Sequence, residues 1–428
     1  MSFIADVFQN EYLPAGADTL DAVITVTSAD SANGRTFGSA QLVEVIIIDI
    51  SGSMNEEGGA KIQAAKQATA AAVDTLADDV QFAIVGGTHE AYQLYPSNGG
   101  LATASDKTRN QAKQIIRRVR ADGGTAIGKW LDLAQRLHAL APDAIGHSIL
   151  LTDGKNQHQH ISELEASVSR CMGLFQVDCR GLGTDWNVNE MRLIAEALLG
   201  TVDIIPRPQD MEAEFRTLTE SAMQREVGNV ALRLWSPKGA EIEFLKQVSP
   251  SIEDMTPKAQ AVKELTDDYP LGAWAPGESR DYHLRVRIPA GNVGDERLGA
   301  RVMLAIDGEA EPVALVRAVW TDDMNLSTRL NREVAHYTGQ AELAEAIHDG
   351  LAAKAAGDEK SATMRLGRAV QIAHETGNID SVKLLEKVVD VDDPKTGTVR
   401  LKRNIATEDE MALDVRSTRT VRVKKQAE

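Results

Sequence analysis

Short apolar runs alternate with amphipathic helical patterns between residues 41 and 226. The run 43–48 is almost entirely β-branched, as expected for a strand buried on both faces of a sheet. The runs 81–85 and 91–95 lie close enough to form a hairpin at one sheet edge, and later runs alternate with helical stretches. This alternation predicts a doubly wound α/β domain over 41–226, with about six helices on both faces of a largely parallel sheet.

The hydrophobic period changes to two between residues 227 and 322. Leu284 and Val286 alternate with His283 and Arg285, and proline and glycine turns separate such runs. This pattern is typical of an antiparallel β-sandwich. The segment 19–27 also alternates, so we expect residues 1–40 to add strands to the sandwich. The α/β domain would then be inserted in a β domain.

Helical spacing of Leu and Ala returns over 323–392, with breaks at Gly339, Gly357 and Gly377. It predicts a small bundle of three or four helices. The remaining residues, 393–428, have no sustained period, and we expect them to form a flexible tail.

The chain of 428 residues carries a net charge of -17, which disfavours nucleic acid and anionic membranes as partners and favours basic ones. No uninterrupted apolar run is long enough to span a membrane, and no Lys or Arg precedes an apolar run near residue 1. These features predict a cytoplasmic protein. Cys171 and Cys179 lie at apolar positions of a predicted helix and strand, so we interpret them as core residues and not as a disulfide.

Oxygen-bearing side chains follow several predicted strands at the points where those strands end. Asp49, Ser51 and Ser53 come directly after the run 43–48, Thr125 follows two glycines, and Asp153 follows another buried strand. In doubly wound sheets, ligands bind outside the carboxyl ends of the strands, where the strand order reverses. Oxygen ligands without nitrogen or sulfur suit Mg²⁺ better than zinc. A helix cap followed by turn residues is the structural alternative.

These five residues resemble the metal-ion-dependent adhesion site of von Willebrand factor type A (VWA) domains, which has the pattern Asp-x-Ser-x-Ser, then Thr, then Asp. The resemblance implies that Ser51, Ser53 and Thr125 bind Mg²⁺ directly, while Asp49 and Asp153 act largely through water. Mn²⁺ and Ca²⁺ are alternative ions. It also implies that an Asp or Glu carboxylate of a partner protein completes the metal shell.

Three classes of function fit this motif. The first is a non-enzymatic, Mg²⁺-dependent interaction module that serves as a scaffold or signalling adaptor. The second is a metal-assisted hydrolase, which needs a base above the metal. The third is an accessory subunit of an ATPase or metal-insertion complex, as the family resemblance suggests. The candidates for the base in the second class are Glu56, Lys155, His158 and His160. His158 and His160 are better interpreted as a polar rim of the crevice than as a second metal site.

The predicted tail contains Thr407, which three acidic residues follow. Phosphorylation there would add charge that an Arg-lined phosphopeptide reader could bind. The layout also resembles bacterial cytoplasmic VWA proteins that accompany Ser/Thr kinases and forkhead-associated domains, which suggests such partners for the tail. A solvated tail with chance threonines is the alternative.

Overall fold

The structure, a computed structural model, describes residues 2–29 and 41–423, and the chain divides into two compact units. One unit contains the described residues from 41 to 228 together with Gly272–Ala275. The other contains the N-terminal strands and the remainder of the chain. Within the described ranges, no helix combines the length and the apolar character needed to cross a membrane. The N-terminal strands are β1 (Ser2–Gln9), β2 (Tyr12–Pro14) and β3 (Thr19–Ala29).

The unit built on residues 41–228 is an α/β unit, as the alternating pattern predicted. Its strands are β4 (Leu42–Asp49), β5 (Gln81–Gly87), β6 (Ala91–Tyr95), β7 (Ala102–Thr103), β8 (Ile145–Thr152), β9 (Gln176–Leu182) and β10 (Val202–Ile205). Its helices are α1 (Glu56–Thr75), α2 (Asp106–Arg118), α3 (Ile127–His138), α4 (Ile161–Cys171), α5 (Val188–Ala197) and α6 (Met211–Met223). The capping box of Ser105 and Thr108 opens α2.

The strands of this unit form a sheet in the order β10-β9-β8-β4-β5-β6, with β7 also paired to β5. All pairs among β10, β9, β8, β4 and β5 are parallel, while β6 and β7 run antiparallel to β5. Because β5 lies on one side of β4 and β8 lies on the other, the chain changes direction across the sheet at β4. The crevice at this switch point opens at the carboxyl end of β4, where Asp49 lies.

The core of the α/β unit explains the β-branched run of β4. Ile46 and Ile48 are fully buried in one cluster with small residues of α1 and with Phe215 of α6. Small side chains such as Ala65 let α1 pack closely against the sheet. Cys171 and Cys179 are both buried and unpaired by disulfide, so their interpretation as core residues is confirmed.

The other unit contains two further sheets, ordered β1-β3-β16-β12-β13 and β14-β15-β11-β17-β18-β2. Strand β3 pairs antiparallel with β16, so the segment 19–27 joins strands from beyond the α/β unit. The strands are β11 (Val227–Trp235), β12 (Glu241–Ser249), β13 (Glu253–Asp254), β14 (Gln260–Lys263), β15 (Thr266–Trp274), β16 (Ser279–Arg287), β17 (Glu296–Ile306) and β18 (Glu309–Thr321).

The C-terminal part of the chain corrects the expected flexible tail at 393–428. The elements here are α7 (Met324–Ser327), α8 (Arg332–Ala355), α9 (Glu359–Thr376), α10 (Ile379–Val388), β19 (Val389–Asp393), β20 (Thr398–Leu401) and α11 (Thr407–Arg416). Leu413 of α11 and Val399 of β20 are buried in one cluster with α8, α9 and α10. This part of the chain is therefore structured because its few apolar side chains complete the helical core. Contacts continue beyond α11, since the Thr420 amide donates to the Pro250 carbonyl at 3.0 Å.

The sequence predicted a separate helical bundle over 323–392, but its first long helix shares a core with the β-sheets. Val334 and Tyr337 of α8 pack in one buried cluster with Val23 of β3 and Val248 of β12. The sheets and helices accordingly belong to the same compact unit.

Candidate metal centre

Asp49, the last residue of β4, is completely buried at the switch point of the sheet. Its Oδ1 accepts a hydrogen bond from the Ser51 amide at 2.8 Å, and its Oδ2 accepts one from Thr152 Oγ1 at 2.6 Å. Burial raises the pKa of Asp49 to about 6, although the hydrogen bonds from Ser51 and Thr152 oppose the shift. A buried carboxylate of this kind gains from any cation that binds beside it.

A chain of hydrogen bonds joins three of the other motif residues. Ser51 Oγ lies 3.0 Å from Ser53 Oγ, and Ser53 Oγ donates to Asp153 Oδ1 at 2.6 Å. Asp153 follows β8, the parallel neighbour of β4, and it is also completely buried. The parallel register brings these loops together because the carboxyl ends of both strands meet at the same edge.

Thr125 reaches the same place from the loop before α3. A Cβ atom on Gly154 would lie 3.6 Å from both Ser53 Oγ and Thr125 Oγ1, so both hydroxyls face the small space over this glycine. The Gly52 amide donates to the Gly123 carbonyl at 2.8 Å and ties the two loops together. Thr125 Oγ1 has no hydrogen-bond partner in the described part of the chain.

The structure thus gathers all five predicted residues in one crevice, and their chemistry fits a hard divalent cation. Only two of them are carboxylates. Among the described side chains, no group of three or more His, Cys, Asp or Glu residues could hold a metal ion. A cation in this crevice would therefore depend on the three hydroxyls, which suits Mg²⁺ better than zinc.

Two protein-family models match the sequence of this chain. The family model of the "von Willebrand factor type A domain" matches residues 44–204. The family model of the "von Willebrand factor type A C-terminal domain" matches residues 371–417. A solved VWA structure from Catenulispora acidiphila has 47% sequence identity and a TM-score of 0.92, over 98% of this chain and 97% of that one. This chain belongs to the von Willebrand factor type A family.

Other relatives of this VWA protein are more distant. The ArnB paralog VWA2 from Sulfolobus acidocaldarius matches 98% of the chain and 99% of its own, with a TM-score of 0.57 and 15% identity, which shows a shared fold alone. The uncharacterized protein sll0103 of Synechocystis is 27% identical over 60% of this chain. Human inter-alpha-trypsin inhibitor heavy chain H4 is 31% identical over 33% of it. The matches span 61% and 16% of the lengths of these two relatives.

The crevice of this VWA domain also holds a lysine that the motif did not predict. Lys61 of α1 is 7% exposed, and its Nζ donates to Asp153 Oδ2 at 2.8 Å. Burial lowers the pKa of Lys61, but the pairing with Asp153 and the charge of Glu56 outweigh that effect and raise it. Glu56 Oε2 lies 3.8 Å from the same Nζ. Lys61 therefore remains a buried ammonium group.

A signal for Lys61 is present in the sequence. Ala65, Ala68 and Ala72 follow it at helical spacing and are buried on the core side of α1. A lysine that begins such an apolar stripe points to a buried partner, because a buried charge is costly unless it is paired.

Two imidazoles lie at the rim of the VWA crevice. His158 Nδ1 accepts from the Thr125 amide at 3.2 Å, and His89 Nδ1 accepts from the Gly124 amide at 3.3 Å. Both histidines are exposed, and their ring centroids are 6.2 Å apart. Because Nδ1 accepts in each ring, the neutral forms carry their proton on Nε2 and are hydrogen-bond donors there. The sequence pointed to His158 as a rim residue but missed His89.

The glycine pair before Thr125 makes room for these rings. A Cβ atom on Gly124 would lie 2.1 Å from the His158 ring, and one on Gly123 would lie 2.9 Å from the His89 ring. His160, by contrast, is the exposed N-cap residue of α4, and its amide donates to Glu163 at 3.0 Å.

Proposed function

We propose that this protein is a non-enzymatic interaction module that binds a partner protein through a divalent cation, Mg²⁺ in the first place and Mn²⁺ or Ca²⁺ as alternatives. The VWA domain is generally a protein-interaction module, and this membership supports the class of function. The observation that carries the metal dependence is the convergence of Ser51, Ser53 and Thr125 with two buried carboxylates, Asp49 and Asp153.

Each motif residue has a role that its position supports. Ser51, Ser53 and Thr125 would offer hydroxyl oxygens to the cation, while Asp49 and Asp153 would supply negative charge and accept hydrogen bonds from its water ligands. The bound cation would supply an open position for an anionic ligand. An Asp or Glu side chain of the partner is the ligand that a hard cation prefers there.

The rim histidines support recognition of the same carboxylate. His89 and His158 are exposed residues whose Nδ1 atoms accept from backbone amides, so their Nε2–H groups are donors. A carboxylate that gives one oxygen to the cation has a second oxygen to accept such a hydrogen bond. The rim would therefore favour a carboxylate over a neutral carbonyl ligand.

The arrangement of possible bases supports binding more than hydrolysis. Glu56 lies beside the Lys61 ammonium, and His158 Nδ1 already accepts from the Thr125 amide. Lys155 and His160 are exposed. A metal-assisted hydrolase is the second candidate function. The third is an accessory subunit of an ATPase or metal-insertion complex.

The proposed setting is the cytoplasm, with a role as scaffold or signalling adaptor. Thr407 is exposed at the first residue of α11, so a kinase could reach it in the folded protein. Glu408, Asp409 and Glu410 fill the rest of that first turn. A phosphate on Thr407 would present a strongly acidic helix end to a forkhead-associated domain.

Affinity purification with and without a chelator tests the central proposal. We expect Asp49→Ala to keep its circular dichroism spectrum and to lose every partner that the chelator also releases. Asp143→Ala is the matched control, because it removes an exposed carboxylate that lies before β8, at the opposite edge of the sheet. Retention of the same partners by Asp49→Ala would exclude metal-bridged binding.

A further inference from the structure

Lys61 brings a positive charge into the proposed metal site. Its Nζ lies 2.8 Å from Asp153 Oδ2, while the other oxygen of Asp153 accepts from Ser53 at 2.6 Å. Both oxygens of this carboxylate are therefore bonded to protein groups. The side chain of Lys61 is 8% exposed and that of Asp153 is fully buried, so water screens the pair poorly.

The charges of the site follow from these contacts. The buried charged groups Asp49, Asp153 and Lys61 sum to one negative charge, and a divalent cation would turn this into one positive charge. Glu56 also approaches Lys61, but its side chain is 65% exposed, so water screens its charge and it is left out of this sum. A single carboxylate from outside then makes the site neutral. A site without the lysine would already be neutral with the cation alone and would gain less from a further anion.

We propose that Lys61 is a resident counter-cation that weakens the binding of the metal alone and makes tight metal binding depend on the partner's carboxylate. This inference rests on the proposed function. It deepens that function, because metal and partner would then bind cooperatively, each raising the affinity for the other. Fluctuations in free Mg²⁺ would have little effect on the site in the absence of the partner.

Calorimetric titration of the whole 428-residue chain with Mn²⁺ tests the role of Lys61. Lys61→Met keeps an unbranched side chain that is one atom shorter and removes the charge. Like-charge repulsion at this range predicts that Lys61→Met binds Mn²⁺ alone at least about 10-fold more tightly than the wild type. Lys61→Arg should stay close to the wild type. Lys66→Met, on the same helix but with its Nζ near the Arg117 carbonyl, should change nothing.

Acetate serves as the probe for the partner's carboxylate. We expect acetate to cause a clear rise in the Mn²⁺ affinity of the wild type. In Lys61→Met, acetate should change the Mn²⁺ affinity only slightly. Lys61→Met also leaves Asp153 buried without its ammonium, so its melting temperature should fall without metal and rise with Mn²⁺ by more than that of the wild type. The thermal shift gives a readout that does not depend on any partner.

The outcomes separate the two proposals. If the wild type binds Mn²⁺, Asp49→Asn abolishes that binding and Lys61→Met binds no more tightly, the role of Lys61 is wrong and the metal site stands. If neither the wild type nor Lys61→Met binds Mn²⁺, with or without acetate, the metal-dependent function is wrong and the role of Lys61 fails with it.

Discussion

The metal crevice depends on Gly124, which offers no side chain to the cation, as well as on the residues that would bind the cation. Gly124 has no requirement for positive φ, but its missing side chain leaves the space that the His158 ring fills. The ring in turn holds the Thr125 amide, so the position of the Thr125 hydroxyl depends on a glycine one residue away.

Gly124→Ala should therefore weaken metal binding without touching a ligand. The new methyl group must displace the His158 ring, and we expect the Mn²⁺ affinity to fall several-fold, with a modest loss of stability of about 1–3 kcal/mol from overpacking. Calorimetric titration measures the affinity and denaturant unfolding the stability. Gly100→Ala is the control, because its Cβ would meet its nearest neighbour at an ordinary 3.6 Å. Equal affinities for the two variants would contradict this role of Gly124.

The predictability of the site differs from residue to residue. Asp49, Ser51 and Ser53 lie in one short segment after a buried strand, so their convergence could be predicted from the sequence. Lys61 and His89 could not be assigned in this way, because their contacts depend on how α1 and the turn after β5 pack over the loops. The sequence carries their residue types but not the distances between them.

At the scale of elements, the strands were predicted more accurately than the turns between them. Gly86 and Gly87 lie between the two apolar runs 81–85 and 91–95 that predicted a hairpin, but both belong to β5, and the chain turns at residues 88–90. A Cβ on Gly87 would lie 2.2 Å from the Trp130 ring, so this glycine is needed for the packing of α3 on the sheet and not for chain reversal. Sequence alone does not separate these two uses of glycine.

Three neighbouring strands are joined by a buried histidine far from the metal site. His147 of β8 has Nδ1 2.7 Å from Glu44 of β4 and Nε2 2.9 Å from Asp178 of β9. Burial lowers the pKa of His147, but the two carboxylates outweigh both this effect and the charge of Arg225, and the pKa lies above its usual value. For the carboxyl group of Asp178 burial has the opposite effect and favours a higher pKa. The pairing with His147 outweighs burial, so the pKa of Asp178 lies below its usual value.

Stability should therefore fall as the pH rises through the folded-state pKa of His147. The pKa of a histidine in the unfolded chain is about 6.5, and folding raises the pKa of His147 above this value. The protonated histidine therefore stabilises the folded protein fully at a pH below about 6.5. This stabilisation is lost as the pH rises through the folded-state pKa. The loss is about 1.4 kcal/mol for each tenfold gain in proton affinity on folding. Urea unfolding between pH 6 and pH 9 measures it. We expect His147→Gln to be destabilised at pH 6 and to lose most of the slope, while exposed His374→Gln behaves as the wild type. An unchanged slope in His147→Gln would rule out this source of pH dependence.

The ordered C-terminal helix gives a second prediction at the scale of elements. Leu413 is fully buried, so Leu413→Ala should cost about 2–5 kcal/mol of unfolding free energy. Met364→Ala removes a side chain that is 64% exposed and should cost little. Denaturant unfolding compares the two variants, and equal stabilities would mean that α11 contributes nothing to the core. The sequence failed here because ten residues are too few for a clear helical period.

At the scale of the whole molecule, net charge and local chemistry point to different properties of the partner. The net charge of -17 favours basic partners, while the metal site favours a carboxylate. The two requirements are compatible if the acidic side chain that reaches the cation lies on an otherwise basic surface. Long-range attraction would then guide the approach, and the metal contact would fix the final position.

Two short peptides separate these contributions. Each carries one central Asp, flanked by lysines in one peptide and by glutamates in the other, and each is titrated into the Mn²⁺-loaded protein. We expect the lysine-flanked peptide to bind more tightly, because the acidic protein attracts it at long range. The advantage should shrink as salt shortens the screening length to about 10 Å near 0.1 M. Replacement of the central Asp by Asn should abolish the Mn²⁺-dependent part of the binding in both peptides. Tighter binding of the glutamate-flanked peptide at low salt would show that net charge does not select the partner. This conclusion would hold whether or not the central Asp binds the metal.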